Sequence, residues 1–133
     1  NLKDTAALRE KSPLPLIADE NSLNSEDIRE IEGVFDGINI KLMKCGSLLE
    51  GMKMVKMARE REMEIMLGCM IESSIAITAA AHLSPLVDYA DLDGNLLINN
   101  DPYSGVTIED GRLVLPQDNG LGISLNSDEP NLI

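Results

Sequence analysis

The stretch that decides the fold lies near residue 40, where Ile38-Asn39-Ile40-Lys41-Leu42 follows a glycine and precedes an amphipathic segment. In a strand, successive side chains point to opposite faces, so Ile38 and Ile40 share one face while Asn39 and Lys41 share the other. We expect the apolar face to pack against helices. Lys41 is then predicted to end the strand on the face turned away from those helices.

Short apolar runs of this kind alternate with amphipathic segments along most of the chain. The predicted strands are Leu14–Ala18, Gly37–Ile40, Glu64–Leu67 and Pro85–Tyr89. The predicted helices are Thr5–Lys11, a helix capped by Ser25 that runs to Glu32, Gly46–Arg61 and Ser73–Leu83. Strands that alternate with helices indicate parallel βαβ units.

The interval between successive predicted strands favours a barrel. It is about 22 to 27 residues throughout, which is typical of a (β/α)8 barrel. A complete barrel takes about 250 residues, so four units in 133 residues indicate half of one. The alternative is a doubly wound sheet, although the chain has no glycine-rich GxGxxG or GxxxxGK[ST] turn for a nucleotide.

After the fourth strand the pattern changes to turn residues and a hairpin. Glu109-Asp110-Gly111 is flanked by two short apolar runs, Val106–Ile108 and Arg112–Leu115, which predicts a β-hairpin. We therefore divide the chain into half-barrel units over residues 1–95 and a C-terminal extension over residues 96–133.

Composition excludes several classes of function. The chain has 11 basic and 23 acidic residues and a formal net charge of −12, so nucleic acid and anionic membrane surfaces would repel it. No apolar run reaches the roughly 18 residues that span a bilayer. Cys45, Cys69 and the single histidine form no zinc motif or disulfide framework, and we expect free thiols in a reducing cytoplasm. The chain begins at Asn1, without a methionine, in the middle of a predicted helix, which suggests a cut, a processed chain or missing residues.

Polar side chains follow each predicted strand, where a barrel gathers its functional groups. Asp19 lies two residues after Ile17 and so on the same face of the first strand, and Lys41 ends the second strand. If the fourth strand stays extended, Asp91 and Asp93 point the same way, and Gly68 leaves room for a ligand after the third. Each residue alone has an ordinary interpretation as a turn or solvated strand end, so the argument depends on all four strand ends together.

These segments resemble the muconate-lactonizing subgroup of the enolase superfamily. The segment Pro15–Asn21 resembles its fifth strand, Ile38–Gly46 its sixth-strand IKxxKxGG motif, and Gly68–Ser74 its seventh strand. Asp91-Leu92-Asp93-Gly94 resembles the eighth-strand DxD of the dipeptide epimerases. Ser47 stands where the motif has its second glycine, a change that we expect to restrict the backbone there.

The resemblance implies Mg²⁺-dependent 1,1-proton transfer at the α-carbon of a dipeptide through an enolate. In that scheme Asp19 is the third carboxylate ligand of Mg²⁺ and Lys41 is the acid/base on one face of the α-carbon. Asp91 and Asp93 hold the free α-ammonium group of the dipeptide. A nearby cation and desolvation would lower the pKa of Lys41 toward neutrality.

Two further residues, Met70 and Ile71, would line the pocket for the substrate side chain. The resemblance places the opposing KxK lysine, two further metal carboxylates and a capping domain in an N-terminal half that this chain lacks. We expect the extension over residues 96–133 to pack toward that capping domain. We therefore expect the chain alone to bind Mg²⁺ weakly and to be inactive, and the full-length protein to form a homo-oligomer.

Two alternatives to the dipeptide epimerase remain open at this point. One is another activity of the superfamily, such as muconate cycloisomerase, o-succinylbenzoate synthase or N-succinylamino acid racemase, none of which needs the DxD pair. The other is a non-catalytic half-barrel that acts as an assembly module through its unpaired strand edges and apolar interior.

Overall fold

The fold is known from a computed structural model of the chain, which describes residues 1–126. The helices are α1 (Leu2–Arg9), α2 (Ile28–Ile31), α3 (Leu42–Cys45), α4 (Leu48–Arg59) and α5 (Ser74–Ala81), with 3₁₀ turns at Ser84–Leu86 and Gly94–Leu97. The strands are β1 (Ile17–Ala18), β2 (Gly37–Ile40), β3 (Glu64–Leu67), β4 (Tyr89–Ala90), β5 (Tyr103–Ser104), β6 (Thr107–Glu109), β7 (Arg112–Val114) and β8 (Ser124–Leu125).

The first four strands form one parallel sheet in the order β1-β2-β3-β4. Each strand pairs with the next along the chain, as in one part of a (β/α)8 barrel. A doubly wound sheet instead reverses its strand order at a switch point. The structure therefore confirms the predicted α/β half-barrel, and the sequential strand order argues against the doubly wound alternative.

The core lies between this sheet and the helices that cover one of its faces. All four residues of β2 are buried, and Ile38 and Ile40 have no exposed surface. In β3, Ile65 and Leu67 are equally buried, and Met54 of α4 is among the residues packed with them. Each such side chain contributes about 1.5–3 kcal/mol through loss of apolar surface to water, which holds β2 and β3 at the centre of the sheet.

The predicted fourth strand, Pro85–Tyr89, is wrong in its bounds. Ser84–Leu86 form a 3₁₀ turn and the strand is limited to Tyr89–Ala90. The reason is a long-range contact: Arg59 donates to both carboxylate oxygens of Asp88, at 2.7 and 3.0 Å, and to the carbonyl of Leu86 at 3.0 Å. These bonds hold the chain in a turn before it enters the sheet.

The predicted helix cap at Ser25 is also wrong. The helix α2 begins at Ile28 with Asp27 at its N-cap position, and Asp27 instead accepts hydrogen bonds from the backbone N–H groups of Leu23 and Asn24. Ser25 is buried, and its backbone N–H donates to Glu50 of α4 at 2.8 Å. The contact with α4 therefore holds Ser25 outside the helix, although the local sequence predicted that Ser25 would cap it.

At the amino ends of the strands, a second carboxylate, that of Asp36, makes the same kind of hydrogen bonds as Asp88. Asp36, just before β2, accepts a hydrogen bond from Arg9 at 2.6 Å and another from the backbone N–H of Leu16 at 2.8 Å. Asp88, just before β4, likewise accepts from the N–H of Ile65 at 2.8 Å. Each carboxylate therefore joins a helix or loop to the start of a neighbouring strand.

The C-terminal segment packs on α5. The predicted hairpin is confirmed as β6 and β7, with Asp110 and Gly111 at positive φ in the turn. The antiparallel pair of β5 and β8 was not predicted. The segment contacts α5 through Asp101, which accepts from the N–H of Ser74, and Val106, whose N–H donates to the buried Thr78 hydroxyl at 2.9 Å.

The boundary between residues 95 and 96 and the packing of the extension toward a capping domain stay predictions, and residues 127–133 lie outside the described part. Within that part, both cysteines are free thiols. None of the helices in residues 1–126 has the length and apolar character needed to cross a membrane.

Candidate active site

An open cavity of about 360 Å³ lies at the carboxyl ends of the four parallel strands. Its lining consists of Ile17, Asp19, Asn39, Lys41, Met66, Gly68, Cys69 and Asp91. In (β/α)8 barrels this end of the sheet carries the catalytic groups. The structure therefore brings together three of the predicted site residues, Asp19, Lys41 and Asp91.

The centre of this cavity is an ion-pair network around Asp19. Its Oδ2 lies 2.9 Å from Nζ of Lys41, and its Oδ1 lies 2.6 Å from Nζ of Lys44. The side chain of Asp19 is 33% exposed, whereas those of Lys41 and Lys44 are 15% and 7% exposed. One carboxylate thus receives two largely buried ammonium groups, each on its own oxygen.

The local sequence explains why both lysines reach the same carboxylate. Lys41 is extended and sits at the N-cap of α3, which Gly46 ends at φ 82°. Residues three apart lie on the same side of a helical turn, so Lys44 returns to the side from which Lys41 projects. The helix α3 was not predicted, and it places Lys44 at the site.

Ser47 does not restrict the backbone, contrary to our expectation. Its φ of −161° is extended, so a non-glycine residue is accommodated without strain. Its side chain accepts a hydrogen bond from the N–H of Glu50 at 3.1 Å and caps α4. The departure from the sixth-strand motif therefore stabilises the start of the next helix.

The charges of the network shift the pKa values of Asp19 and Lys41. The hydrogen bond to Asp19 raises the pKa of Lys41 above its ordinary value. Partial burial acts to raise the pKa of Asp19, but the hydrogen bonds from Lys44 and Lys41 outweigh it, so the pKa is lowered. We expected a nearby cation and desolvation to lower the pKa of Lys41. Desolvation does act in that direction, but the Asp19 carboxylate outweighs it, so the pKa is raised, contrary to the expectation. The part of the expectation that depends on a bound cation stays a prediction.

Behind Lys41, the cavity has a polar floor formed by Asn39. This side chain is 6% exposed, and its Oδ1 has no hydrogen-bond partner among the described residues. It lies against Gly68, where an added Cβ would be only 2.7 Å from that oxygen. The absence of a side chain at Gly68 therefore leaves the space that the Asn39 amide occupies.

The remaining predicted site residues lie outside the cavity lining. Asp93 is exposed, with Oδ1 3.9 Å from Sγ of Cys69, because the chain turns into a 3₁₀ helix at Gly94 rather than staying extended. The condition for Asp91 and Asp93 to point the same way is thus not met. Met70 and Ile71 are 45% and 69% exposed.

Comparison with known proteins agrees with this arrangement. The family described as enolase C-terminal domain-like matches residues 1–129. The chain belongs to that family. The matched region is almost the whole sequence, and it includes every residue that lines the cavity.

Individual relatives of this enolase C-terminal domain-like chain are epimerases and racemases. The chain is 48% identical over 122 residues to L-Ala-D/L-Glu epimerase of Bacteroides thetaiotaomicron. The aligned region covers 92% of this chain and 32% of that protein. It thus spans about a third of that relative's length.

Solved structures are similar over the same region. A dipeptide epimerase of Enterococcus faecalis, complexed with Mg and L-Leu-L-Tyr, is 34% identical, with a TM-score of 0.84 over 93% of this chain and 37% of the other. N-succinyl Arg/Lys racemase of Bacillus cereus is 32% identical, with a TM-score of 0.87 over 96% and 36%.

The enolase C-terminal domain-like chain carries only part of a possible metal site. No group of three or more metal-binding side chains occurs within residues 1–126. Asp19 nevertheless fits Mg²⁺, which prefers carboxylate oxygens, and its Oδ2 already faces a cation, the Lys41 ammonium, at 2.9 Å. Asp19 is therefore suited to supply one ligand to a site that needs further ligands.

Three residues that carry hydrogen-bonding side chains at this site were not predicted as site residues: Lys44, Asn39 and Cys69. For Lys44 the signal was present, because the IKxxK motif places a second lysine one helical turn after Lys41. For Asn39 the sequence showed that it shares a face with Lys41, but not that its amide oxygen lacks a partner. For Cys69 no signal distinguished a cavity-lining thiol from a buried one.

Proposed function

We propose that this chain supplies the C-terminal part of the active site of a Mg²⁺-dependent dipeptide epimerase. The observation that carries the proposal is the placement of Asp19, Lys41 and Asp91 around one cavity at the carboxyl ends of parallel strands. Support comes from relatives that are epimerases acting on L-Ala-D/L-Glu and from a Mg-containing dipeptide epimerase structure.

In the proposed reaction, Lys41 removes a proton from the α-carbon of the substrate or returns one to it. The substrate is held with its α-carbon facing Nζ, and low exposure of the lysine keeps water from that position. Asp19 would supply one ligand to Mg²⁺, and the ion would offset the negative charge that develops on the substrate when its α-proton is removed. Asp91 accepts hydrogen bonds from the α-ammonium group of the dipeptide.

Epimerisation also requires a second acid/base on the opposite face of the α-carbon. We propose that this group, the other metal ligands and a capping domain come from the N-terminal part of a longer protein. On this proposal the chain alone is inactive, and the complete enzyme acts in the cytoplasm as a homo-oligomer. The side-chain pocket includes Met70 and Ile71, whose exposure is removed when the missing part packs over them.

A second candidate is racemisation of an N-acylated amino acid. The favouring observation is that Asp91 lines the cavity whereas Asp93 lies outside the lining, with its Oδ1 3.9 Å from Sγ of Cys69, so only one carboxylate of the DxD pair borders the space that a substrate ammonium group would enter. The similarity to N-succinyl Arg/Lys racemase supports the same candidate. A panel of dipeptides and N-succinylamino acids at equal concentration separates the two candidates through kcat/KM.

The decisive experiment measures exchange of the substrate α-proton in deuterium oxide by NMR. The full-length protein with Mg²⁺ is expected to exchange the α-proton of L-Ala-L-Glu and to form its epimer. The Lys41→Ala variant is expected to lose exchange from the face that Lys41 serves, while its fold, followed by circular dichroism, is retained. Unchanged exchange in Lys41→Ala would refute the assigned role.

A further inference from the structure

The lysine three residues after the proposed acid/base has no part in proton transfer, and its contacts suggest another task. The Nζ of Lys44 donates to the carboxylate Oδ1 of Asp19 at 2.6 Å, to the backbone carbonyl of Asp19 at 2.6 Å and to the carbonyl of Asn39 at 2.8 Å. An ammonium group has three N–H donors. All three are therefore used.

These contacts join the ends of two neighbouring strands. Asp19 directly follows β1 and Asn39 lies in β2, so the Lys44 ammonium links both strands at the edge that forms the cavity. Its side chain is 7% exposed. A lysine is buried to this extent only when its charge and donors are satisfied, so the arrangement is specific to these acceptors.

The two lysines divide the carboxylate between them. Lys44 occupies Oδ1, while Lys41 occupies Oδ2 from the cavity side, where its own exposure is twice as large. Oδ2 is therefore the oxygen that a cation in the cavity can reach. Lys41 competes with such a cation for Oδ2, whereas Lys44 fixes the orientation in which Oδ2 is presented.

We propose that Lys44 is a positioning residue that orients Asp19 for Mg²⁺ binding. The inference rests on the proposed function, because it assumes that Asp19 is a metal ligand. It assigns opposite effects to two lysines bonded to one carboxylate: Lys44 supports metal binding and Lys41 opposes it. Removing a residue that hydrogen-bonds to a metal ligand and orients it typically weakens metal binding about 10–100-fold.

The test is a comparison of Mg²⁺ affinity by isothermal titration calorimetry in the full-length protein. Lys44→Met is expected to raise the Kd for Mg²⁺ about 10–100-fold. Lys41→Met is the matched control, which removes the same charge from the same carboxylate. It is expected to leave the Kd unchanged or lower it, although turnover is lost.

A purely electrostatic role for Lys44 gives the opposite sign. Removing a positive charge beside a cation site would tighten Mg²⁺ binding, so an unchanged or lower Kd in Lys44→Met would overturn the inference. A wild-type protein that binds no Mg²⁺ would instead overturn the proposed function and this inference with it. The two failures are thereby distinguished.

A conservative variant covers the case in which Lys44→Met does not fold. Lys44→Arg keeps the charge, but a planar guanidinium cannot direct its N–H groups to the same three acceptors as a compact ammonium. We expect an increase in Kd for Mg²⁺ that is measurable but smaller than that of Lys44→Met. The electron paramagnetic resonance spectrum of bound Mn²⁺ is expected to change in Lys44→Arg, and wild-type affinity with a wild-type spectrum would contradict the positioning role.

Discussion

At the amino ends of the parallel strands, Asp36 and Asp88 each accept hydrogen bonds from one arginine and one backbone N–H of a neighbouring strand. At the carboxyl ends, Asp19 is held by two lysines and borders an open cavity. The first arrangement uses both carboxylate oxygens for structure. The second leaves one oxygen where a ligand can compete for it, which is what separates a stabilising acid from a candidate catalytic one.

The largest effect is expected from the cavity end, at Lys41. Lys41→Met removes the proposed acid/base, and we expect kcat to fall at least about 10³-fold, within the range for loss of general acid–base catalysis. Steady-state epimerisation of a dipeptide by the full-length protein measures it.

The control for this prediction is Lys56→Met, at a lysine that is 78% exposed on α4. We expect its kcat to match that of the wild type. If both variants lose activity equally, the loss arises from the fold rather than from the site.

A second effect at the same end concerns Asp91. Asp91→Asn removes the charge that is proposed to meet the substrate ammonium, and a hydrogen bond to a charged group contributes about 1.5–3 kcal/mol. We expect kcat/KM for dipeptides to fall about 10–100-fold. Asp93→Asn is the matched control and should have a smaller effect, because Asp93 lies outside the cavity lining; an equal or larger effect would mean that Asp93 moves inward in the complete enzyme.

At the amino end the expected effect is on stability rather than turnover. Asp88→Ala removes the acceptor of the N–H of Ile65, a residue with no exposed surface. An unsatisfied buried donor costs about 1–3 kcal/mol, and urea unfolding measures this loss. Asp118→Ala, at an exposed position, should stay within about 0.5 kcal/mol of wild type, and a similar loss there would remove the distinction.

The smallest effect is a dependence of stability on acid. Hydrogen bonds from Arg59, and then from the N–H of Ile65, hold the pKa of Asp88 below its ordinary value. The group therefore stabilises the fold above the unfolded-state pKa of about 3.9. This contribution is lost as the pH falls through the lower folded-state pKa.

We expect the difference in unfolding free energy between wild type and Asp88→Asn to be constant from about pH 7 to 5 and to shrink below about pH 4. Because Asp88 is partly exposed, the change should be less than about 1 kcal/mol. Denaturation curves at several pH values measure it. A difference that grows on acidification would contradict the sign of the pKa shift.

The central strands could be predicted because each is a short run of consecutive residues whose apolar side chains indicate burial. Gly37–Ile40 and Glu64–Leu67 match β2 and β3 as predicted. The fourth strand could not be, because Arg59 on a distant helix binds Asp88 and the Leu86 carbonyl and so decides where the turn ends. Local pattern carries no information about a contact of this range.

The candidate site divides in the same way. The side of β2 on which Lys41 lies follows from the alternation of Ile38, Asn39 and Ile40, so its place in the cavity was accessible from sequence. The role of Lys44 was not, because it depends on the turn of α3 after the strand. The direction of Asp93 depends in turn on packing at Gly94, where an added Cβ would collide with the carbonyl of Met70.

The contact between Gly68 and Asn39 has a consequence for how this family varies. A methyl group at position 68 would overlap the amide at position 39, so a change at position 68 depends on the residue at position 39. An alanine at the first position becomes tolerable only with a shorter side chain, such as serine, at the second. Among homologues, a larger residue at position 68 should therefore occur only together with a shorter side chain at position 39.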